Sequence, residues 1–206
     1  MPEIYALYSP YPGAGKTTLA KLIHDENEEH FFNGYPFVEL LSFATPMKWM
    51  IHSLYDYVTY WGDDFYDLYE NHKEKIDPTL KTSIRHMMRT LGTEWGRNCI
   101  RENLWVDIAE EKIKSSCASI VIFDDLRFPN EYEMLKKHGA RFIKIIRPDV
   151  APPKRSLFRR FLEMLRIVKK PHVSDGALEG FYFDLVIENT GTGFDMYDIF
   201  NEWRNK

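Results

Sequence analysis

A glycine-rich turn near the N-terminus constrains this chain more than any other feature. Residues 4–8 form a short apolar run with β propensity, and the turn PGAGKTT follows at residues 12–18. Leucine and isoleucine then recur at helical spacing, at positions 19, 22 and 23. A strand, a glycine-rich turn and a helix in this order can bind phosphate, because glycine lets backbone N–H groups approach the anion and the helix adds its positive end. The segment therefore predicts a site for a nucleoside triphosphate.

Each residue type in this turn has a chemical role in the predicted site. Lys16 would reach the β- and γ-phosphates, and the Thr17 hydroxyl would bind Mg²⁺. Pro10 stands where the general phosphate-loop pattern has its first glycine. An ordinary strand-to-helix turn is the alternative, but the flanking strand and helix and the Lys-Thr-Thr sequence favour a phosphate site. The residues expected to hold the triphosphate are Gly13, Ala14, Gly15, Lys16, Thr17 and Thr18.

The composition restricts the class of protein. A chain of 206 residues suits one α/β domain with an inserted lid. The net charge of −4 argues against general coating of nucleic acid. The two cysteines make no disulfide framework, and the sequence shows neither a secretory leader pattern nor an apolar run of membrane-spanning length. We therefore expect a cytoplasmic protein without a membrane segment.

Five apolar runs rich in β-branched and aromatic residues predict the strands of a sheet. The run at 118–123 is continuously apolar, which is typical of a central parallel strand. Helical patterns alternate with the runs, so we expect a mostly parallel sheet between helices, the three-layer α/β/α arrangement of P-loop NTPases. Thr45 is expected to cap a helix that starts at Pro46, and Gly92 to end one that starts near Leu80. The predicted strands are residues 4–8, 37–43, 118–123, 142–146 and 183–187.

An acidic pair follows the predicted central strand. Asp124 and Asp125 come directly after it, and Arg127 lies two residues further on. Carboxylates at the carboxyl end of a parallel strand lie where α/β sheets bind ligands. One of the two would organise Mg²⁺, directly or through water, and Arg127 could hold a phosphate. The alternative is that the pair only caps the next helix.

Arginines surround Trp95 in the sequence. They stand at positions 85, 89, 97 and 101. Arginine can bind phosphate through two parallel hydrogen bonds, and an aromatic ring can stack on a base. The alternative, a helix with surface arginines and a core tryptophan, agrees equally well with the composition.

A strongly basic segment covers residues 151–170. It contains seven basic residues and one acidic residue, and its apolar residues recur at helical spacing. Because it follows a strand of the predicted phosphate-binding sheet, we favour a lid that closes over the triphosphate. Membrane, calmodulin-like or nucleic-acid binding by a basic amphipathic helix stays an alternative.

Beyond the phosphate loop, short stretches along the whole chain match one family in their order and spacing. They are ATPMK at residues 44–48, RTLGTE at 89–94, WV at 105–106, DLRFPNE at 125–131, RP at 147–148, HVS at 172–174 and DLVIENTG at 184–191. Each stretch alone is a weak signal. Together with the PGAGKTT loop, which is similar to that of nucleoside monophosphate kinases in general, they resemble bacteriophage deoxynucleoside monophosphate kinases.

The resemblance implies a P-loop kinase that transfers the γ-phosphoryl group of ATP, in the presence of Mg²⁺, to a deoxynucleoside 5′-monophosphate. It also implies one domain over residues 1–206, with a monophosphate-binding helical region at about 44–105 and a basic lid at about 149–175. The implied catalytic residues are Lys16, Asp125, Arg127, Arg155 and Arg159, with Thr17 and Asp125 as metal ligands. The implied substrate-binding residues are Lys48, Arg89, Trp95, Arg97, Trp105, Arg127 and Glu131.

The expected partners are ATP and a deoxynucleoside monophosphate, without membrane or nucleic acid, and a homodimer is left open. If a phage encodes the chain, the expected location is the host cytoplasm. Kinases of nucleosides or of dephospho-coenzyme A use the same kind of loop and sheet and stay alternatives. A nucleic-acid-binding P-loop ATPase that uses residues 151–170 is an alternative of another class.

Overall fold

The computed structural model describes residues 2–27, 31–32, 34–59, 69, 73–150 and 177–206. The chain divides into two compact units. The first unit combines Met1–Leu41 with Ser116–Lys206 and contains the predicted sheet, and the second unit is Ser42–Ser115. The second unit includes the helical region that the sequence predicts at about 44–105.

The predicted five-stranded sheet is confirmed, and every neighbouring pair of its strands is parallel. The strand order is β4-β5-β1-β6-β7, so β1 is central. A short antiparallel pair of β2 and β3, which is absent from the strands predicted from the sequence, forms a separate sheet. The strands are β1 Glu3–Tyr8, β2 Phe31–Phe32, β3 Tyr35–Pro36, β4 Val38–Leu41, β5 Ile120–Leu126, β6 Arg141–Ile146 and β7 Leu185–Glu188.

The helices alternate with the strands as predicted, with shifted ends. The second helix starts at Thr45, which was predicted to precede it as a cap; the Ser42 hydroxyl accepts a hydrogen bond from the Ala44 N–H just upstream. The helices are α1 Lys16–Asp25, α2 Thr45–Thr59, α3 Ile84–Arg89, a π-helix Thr90–Ile100, α4 Leu104–Ser115, α5 Pro129–Lys137, a 3₁₀ turn Pro148–Val150 and α6 Gly193–Arg204. Among these helices, none is long and apolar enough to cross a membrane.

Helices cover both faces of the sheet in the first unit. Ile143 and Ile145 of β6 belong to a buried apolar cluster that also contains residues of α1 and α6. Phe142 stacks on Tyr132 of α5, with ring centroids 3.9 Å apart. Because successive side chains of a strand point to opposite faces, the two groups of helices lie on opposite sides of the sheet. This is the three-layer α/β/α arrangement that the sequence predicts.

Strand β5, next to the central strand β1, is longer than predicted and irregular where its acidic residues lie. Ala6 of β1 pairs with Phe123, but Tyr8 pairs with Leu126, so β5 carries one residue more than β1 over this interval. The extra residue falls at Asp124 and Asp125, which therefore belong to the strand instead of following it. A bulge of this kind changes the direction of nearby side chains.

The prediction that Gly92 ends a helix is wrong, because α3 continues directly into the π-helix. A methyl group built on Gly92 would lie 2.9 Å from the Met47 sulfur, and one on Gly96 would overlap the indole ring of Trp105. Both glycines therefore allow close packing within the second unit. A glycine within a helical pattern can mark the end of a helix, but here it allows a neighbouring side chain to pack closely against the backbone.

We expect Gly96→Ala to destabilise the protein by about 1–3 kcal/mol, because the rigid Trp105 ring must shift to admit the new methyl group. Gly92→Ala is the matched control, since the atom it meets is near the end of the flexible Met47 side chain. Urea unfolding followed by circular dichroism measures both free energies of unfolding. An equal loss in the two variants would contradict the role of Gly96 in packing Trp105.

Candidate functional site

The turn between β1 and α1 has the backbone shape of a phosphate-binding loop. Gly13 and Gly15 have φ values of 79° and 102°, in the left-handed region where glycine avoids the strain that other residues experience. Gly15 is also the N-cap of α1, and within the described part of the chain no side chain caps this end and no acidic residue lies in the first turn. The positive end of α1 is therefore available for an anionic ligand.

The start of the loop is closed around Pro10, the residue that departs from the general pattern. The Ser9 hydroxyl donates a hydrogen bond to the Tyr11 carbonyl oxygen at 2.9 Å and accepts one from the Tyr11 N–H at 3.3 Å. Ser9 is itself buried. A local side-chain bond of this type fixes the turn without the first glycine of the general pattern.

Lys16 lies at the start of α1, partly buried, among charges of both signs. Burial, followed by repulsion from the Arg127 guanidinium, lowers the pKa of Lys16 to about 8, although Asp124 and Asp125 act in the opposite direction. The nearby carboxylates therefore stabilise the charged form of Lys16 less than burial and Arg127 destabilise it. A phosphate bound in the loop would supply the missing negative charge.

The Thr17 hydroxyl and the acidic pair of β5 are brought together by the parallel pairing of β1 and β5. Thr17 Oγ1 donates a hydrogen bond to Asp124 Oδ2 at 2.7 Å. Asp125 is also near enough to Lys16 to favour the charged form of the lysine. Of the two carboxylates that the sequence left open, Asp124 is the one hydrogen-bonded to Thr17, whereas the sequence prediction named Asp125.

Arg127 is positioned by the backbone contacts of Glu131. The Glu131 side chain is 2% exposed, and its carboxylate accepts hydrogen bonds from the N–H groups of Arg127 and Phe128, at 2.8 Å and 3.0 Å. These bonds tie the residues that precede α5 to its first turn. Glu131, predicted as a substrate ligand, thus supports the segment that presents Arg127.

Two further strand ends contact the loop, through residues for which the sequence predicts no role there. Arg147, after β6, donates from Nη1 to the Gly13 carbonyl oxygen at 3.4 Å. Asn189, after β7, donates from Nδ2 to the Ala14 carbonyl oxygen at 2.9 Å. One sequence feature could have pointed to Arg147 and Asn189. Both residues follow predicted strands, and they lie within the RP and DLVIENTG stretches.

The two tryptophans predicted for a base pocket differ in accessibility. The Trp105 side chain is 3% exposed, and its indole N–H donates to the Gly92 carbonyl oxygen at 2.9 Å. Trp95 is 39% exposed, and the two rings lie 6.1 Å apart between centroids. Trp105 therefore lies in the interior of the second unit, whereas the ring of Trp95 is accessible to a ligand.

The predicted cations of the second unit have different surroundings. Lys48 lies over the ring of Tyr69, with its Nζ 4.5 Å from the centroid. Arg97 donates to the Glu102 carbonyl oxygen at 3.4 Å, and Arg89 is exposed on the last turn of α3. The other two arginines that flank Trp95 in the sequence form ion pairs, Arg85 with Glu74 and Arg101 with Asp107.

The predicted lid at 151–170, which contains Arg155 and Arg159, lies outside the described residues.

Known proteins are similar to this chain over part of its length. A deoxynucleotide monophosphate kinase family matches residues 58–156, which include β5, the acidic pair and Arg127. The deoxynucleoside-5′-monophosphate kinase of Escherichia phage T5 is 26% identical over 128 residues, covering 62% of this chain and 48% of that protein. The aligned region thus spans about half the length of that relative. The family match begins beyond the phosphate loop. The geometry of the loop is therefore an observation separate from the family match.

We expect Gly15→Ala to destabilise the protein more than Gly13→Ala. Both changes force alanine into a left-handed conformation, which costs about 1–2 kcal/mol. A methyl group on Gly15 would also lie 2.8 Å from Asn189 Nδ2 and 2.9 Å from the terminal methyl group of Met196, whereas one on Gly13 meets nothing within 4 Å. Chemical unfolding compares the two losses, and equal values would mean that Asn189 and Met196 move aside without penalty.

Proposed function

We propose that this chain transfers the γ-phosphoryl group of ATP to a deoxynucleoside 5′-monophosphate. The observation that carries the proposal is the loop at residues 13–18, in which two left-handed glycines, the start of α1 and Lys16 converge beside the carboxylates of β5. Similarity to the deoxynucleotide monophosphate kinases supports the choice of acceptor. The same similarity favours a monophosphate over the alternative acceptors, a nucleoside or dephospho-coenzyme A.

The oxygen donors beside the loop suit Mg²⁺. The Thr17 hydroxyl and the Asp124 carboxylate lie within hydrogen-bond distance of each other, and hard oxygen ligands of this type are those that Mg²⁺ prefers. We therefore assign Thr17 and Asp124 to the ion, with Asp125 as the neighbouring carboxylate. When bound, Mg²⁺ would neutralise charge on the phosphates.

The chemistry that remains for the protein is positioning and charge stabilisation. The acceptor is already an anionic phosphate, so no general base is required. Lys16 would neutralise charge that develops on the transferring group, and Arg127, held in place by Glu131, would bind a phosphate near it. Arg155 and Arg159 of the basic segment would close over the phosphates and exclude water.

The second unit would recognise the acceptor. Trp95, with its accessible ring, would stack on the base, because stacking requires an exposed face. Trp105 would support that ring from the interior of the unit. Lys48, Arg89 and Arg97 are the cations of this unit that we assign to the acceptor. We expect the protein to act in the cytoplasm on small nucleotides, with the homodimer as an open prediction.

A panel of acceptors tests the reaction. ADP release from ATP is followed with each deoxy- and ribonucleoside monophosphate, with nucleosides and with dephospho-coenzyme A, and we expect turnover with deoxynucleoside monophosphates. Lys16→Ala should lower kcat by roughly 10²–10⁴-fold, because it removes a charge that stabilises the transition state. Lys21→Ala, on the exposed side of α1, is the control and should keep normal turnover. The proposal is wrong if no monophosphate is phosphorylated, or if Lys16→Ala turns over normally.

The metal assignment has its own test. Asp124→Asn should raise the Mg²⁺ concentration for half-maximal rate by about 10-fold or more, since it weakens a ligand set that includes Thr17. Asp125→Asn should have a smaller effect on this concentration. Magnesium titrations of the initial rate compare the two variants. The reverse order would transfer the metal role to Asp125, the carboxylate that the sequence predicts.

A further inference from the structure

The buried side chain of Asn189 connects the phosphate loop to the last strand of the sheet. Asn189 directly follows β7 and is 7% exposed. Its backbone N–H donates to the Ile146 carbonyl oxygen at 2.7 Å, which extends the pairing of β7 with β6 by one bond. Its side-chain amide donates to the Ala14 carbonyl oxygen at 2.9 Å. One residue is thus fixed by the sheet at its backbone and holds the loop with its side chain.

This hydrogen bond determines the orientation of one peptide group in the loop. In a planar trans peptide, the carbonyl oxygen and the N–H of the following residue point in opposite directions. Because the Ala14 carbonyl oxygen is held against Asn189, the Gly15 N–H must point away from Asn189. In phosphate-binding loops, N–H groups aimed in a common direction make the concave surface that receives the anion.

Asn189 and Met196 leave no space for a side chain beside this peptide group, at Gly15. A methyl group on Gly15 would lie 2.8 Å from Asn189 Nδ2 and 2.9 Å from the terminal methyl group of Met196, a buried residue of α6. Asn189 and Met196 therefore pack directly against the Gly15 backbone. The peptide group is restrained by a hydrogen bond at Ala14 and by packing at Gly15.

We propose that Asn189 is a positioning residue for the phosphoryl donor, acting through Ala14. It keeps the Ala14–Gly15 peptide in the orientation that directs the Gly15 N–H at the phosphates of the bound triphosphate. The inference rests on the proposed function, because it requires that the loop binds a triphosphate. Because Asn189 would act through the loop, its contribution should depend on the phosphates of the ligand and not on its nucleoside.

Two substitutions separate the hydrogen bond from charge and from shape. Asn189→Leu is close in size and uncharged, and it removes the donor. Asn189→Asp places an acceptor against the Ala14 carbonyl oxygen, and a carboxyl group forced into this position should have a raised pKa. When that carboxyl is protonated, its O–H can donate to Ala14 and restore the bond.

The matched control is Asn27, at the end of α1. Its Nδ2 donates to the Ile23 carbonyl oxygen at 2.7 Å, which is the same type of side-chain bond away from the loop. Asn27→Leu and Asn27→Asp therefore make the same chemical changes and should leave triphosphate binding unchanged.

Calorimetry with ATP and with inorganic tripolyphosphate provides the test, together with KM for each substrate and thermal unfolding. We expect Asn189→Leu to weaken both ligands by about 10-fold or more, the effect of losing one hydrogen bond to a buried group. KM for ATP should rise while KM for the acceptor stays near its wild-type value. The affinity ratio of Asn189→Asp to wild type should recover as the pH falls from about 7 to about 5.

The outcomes distinguish this inference from the function on which it rests. Wild-type affinity for both ligands in a folded Asn189→Leu variant overturns the role of Asn189 and leaves the kinase proposal intact. Weaker ATP binding with unchanged tripolyphosphate binding also overturns it, because Asn189 would then act on the nucleoside. If Asn189→Leu does not fold, a flat pH profile of Asn189→Asp has the same meaning. Absence of binding of either ligand to the wild type overturns both proposals.

Discussion

The parallel pairing of β1 with β5 on one side and β6 on the other is the constraint on which the candidate site depends. Parallel strands end at the same edge of a sheet, so the turn after β1 lies beside the ends of its neighbours. This arrangement brings Thr17 to Asp124, although 107 positions separate them in the sequence. It also allows Arg147 and Asn189 to reach the carbonyl oxygens of the loop.

The loop itself is shaped by the absence of side chains and by a few polar contacts. Left-handed glycines permit the turn, and Ser9 closes its beginning. Lys16 then stands with a pKa lowered to about 8, first by burial and then by Arg127, since the carboxylates of β5 only partly oppose these effects. Such a group gains more from a polyanion than a solvated lysine does, because the bound phosphates replace the solvation that it lost on folding. The backbone and the charge distribution therefore favour the same kind of ligand.

The second unit shows how one tryptophan can support another. Trp105 is fixed by packing on Gly96 and by its bond to the Gly92 carbonyl oxygen, both within the π-helix. A π-helix is rare in proteins and usually occurs as a single turn inside an α-helix. The glycines of this helix make room for Trp105 and Met47, and Trp95 remains accessible beside them. Trp105 thus gives the accessible Trp95 ring a buried neighbour, with the two ring centroids 6.1 Å apart.

Local sequence determined much of this protein. The apolar runs predicted all five strands of the main sheet, and the PGAGKTT turn predicted a glycine-rich loop and the helix that follows. These features depend on backbone preferences and on the periodicity of neighbouring residues, so short stretches are sufficient to specify them. The resemblance to phage kinases likewise came from short stretches read in order.

Only the tertiary structure decided which distant groups meet. The bulge in β5 arises from its register with β1, and Thr17 bonds to Asp124, whereas the sequence favoured Asp125. Gly92 lies inside a helix, where the lack of a side chain leaves room for Met47, and Asn189 is placed beside the loop by the position of β7 in the sheet. The physical reason is the same in each case. Contacts across a sheet or between helices depend on register and on the space left by residues far away in the sequence, and propensities of single segments do not contain this information.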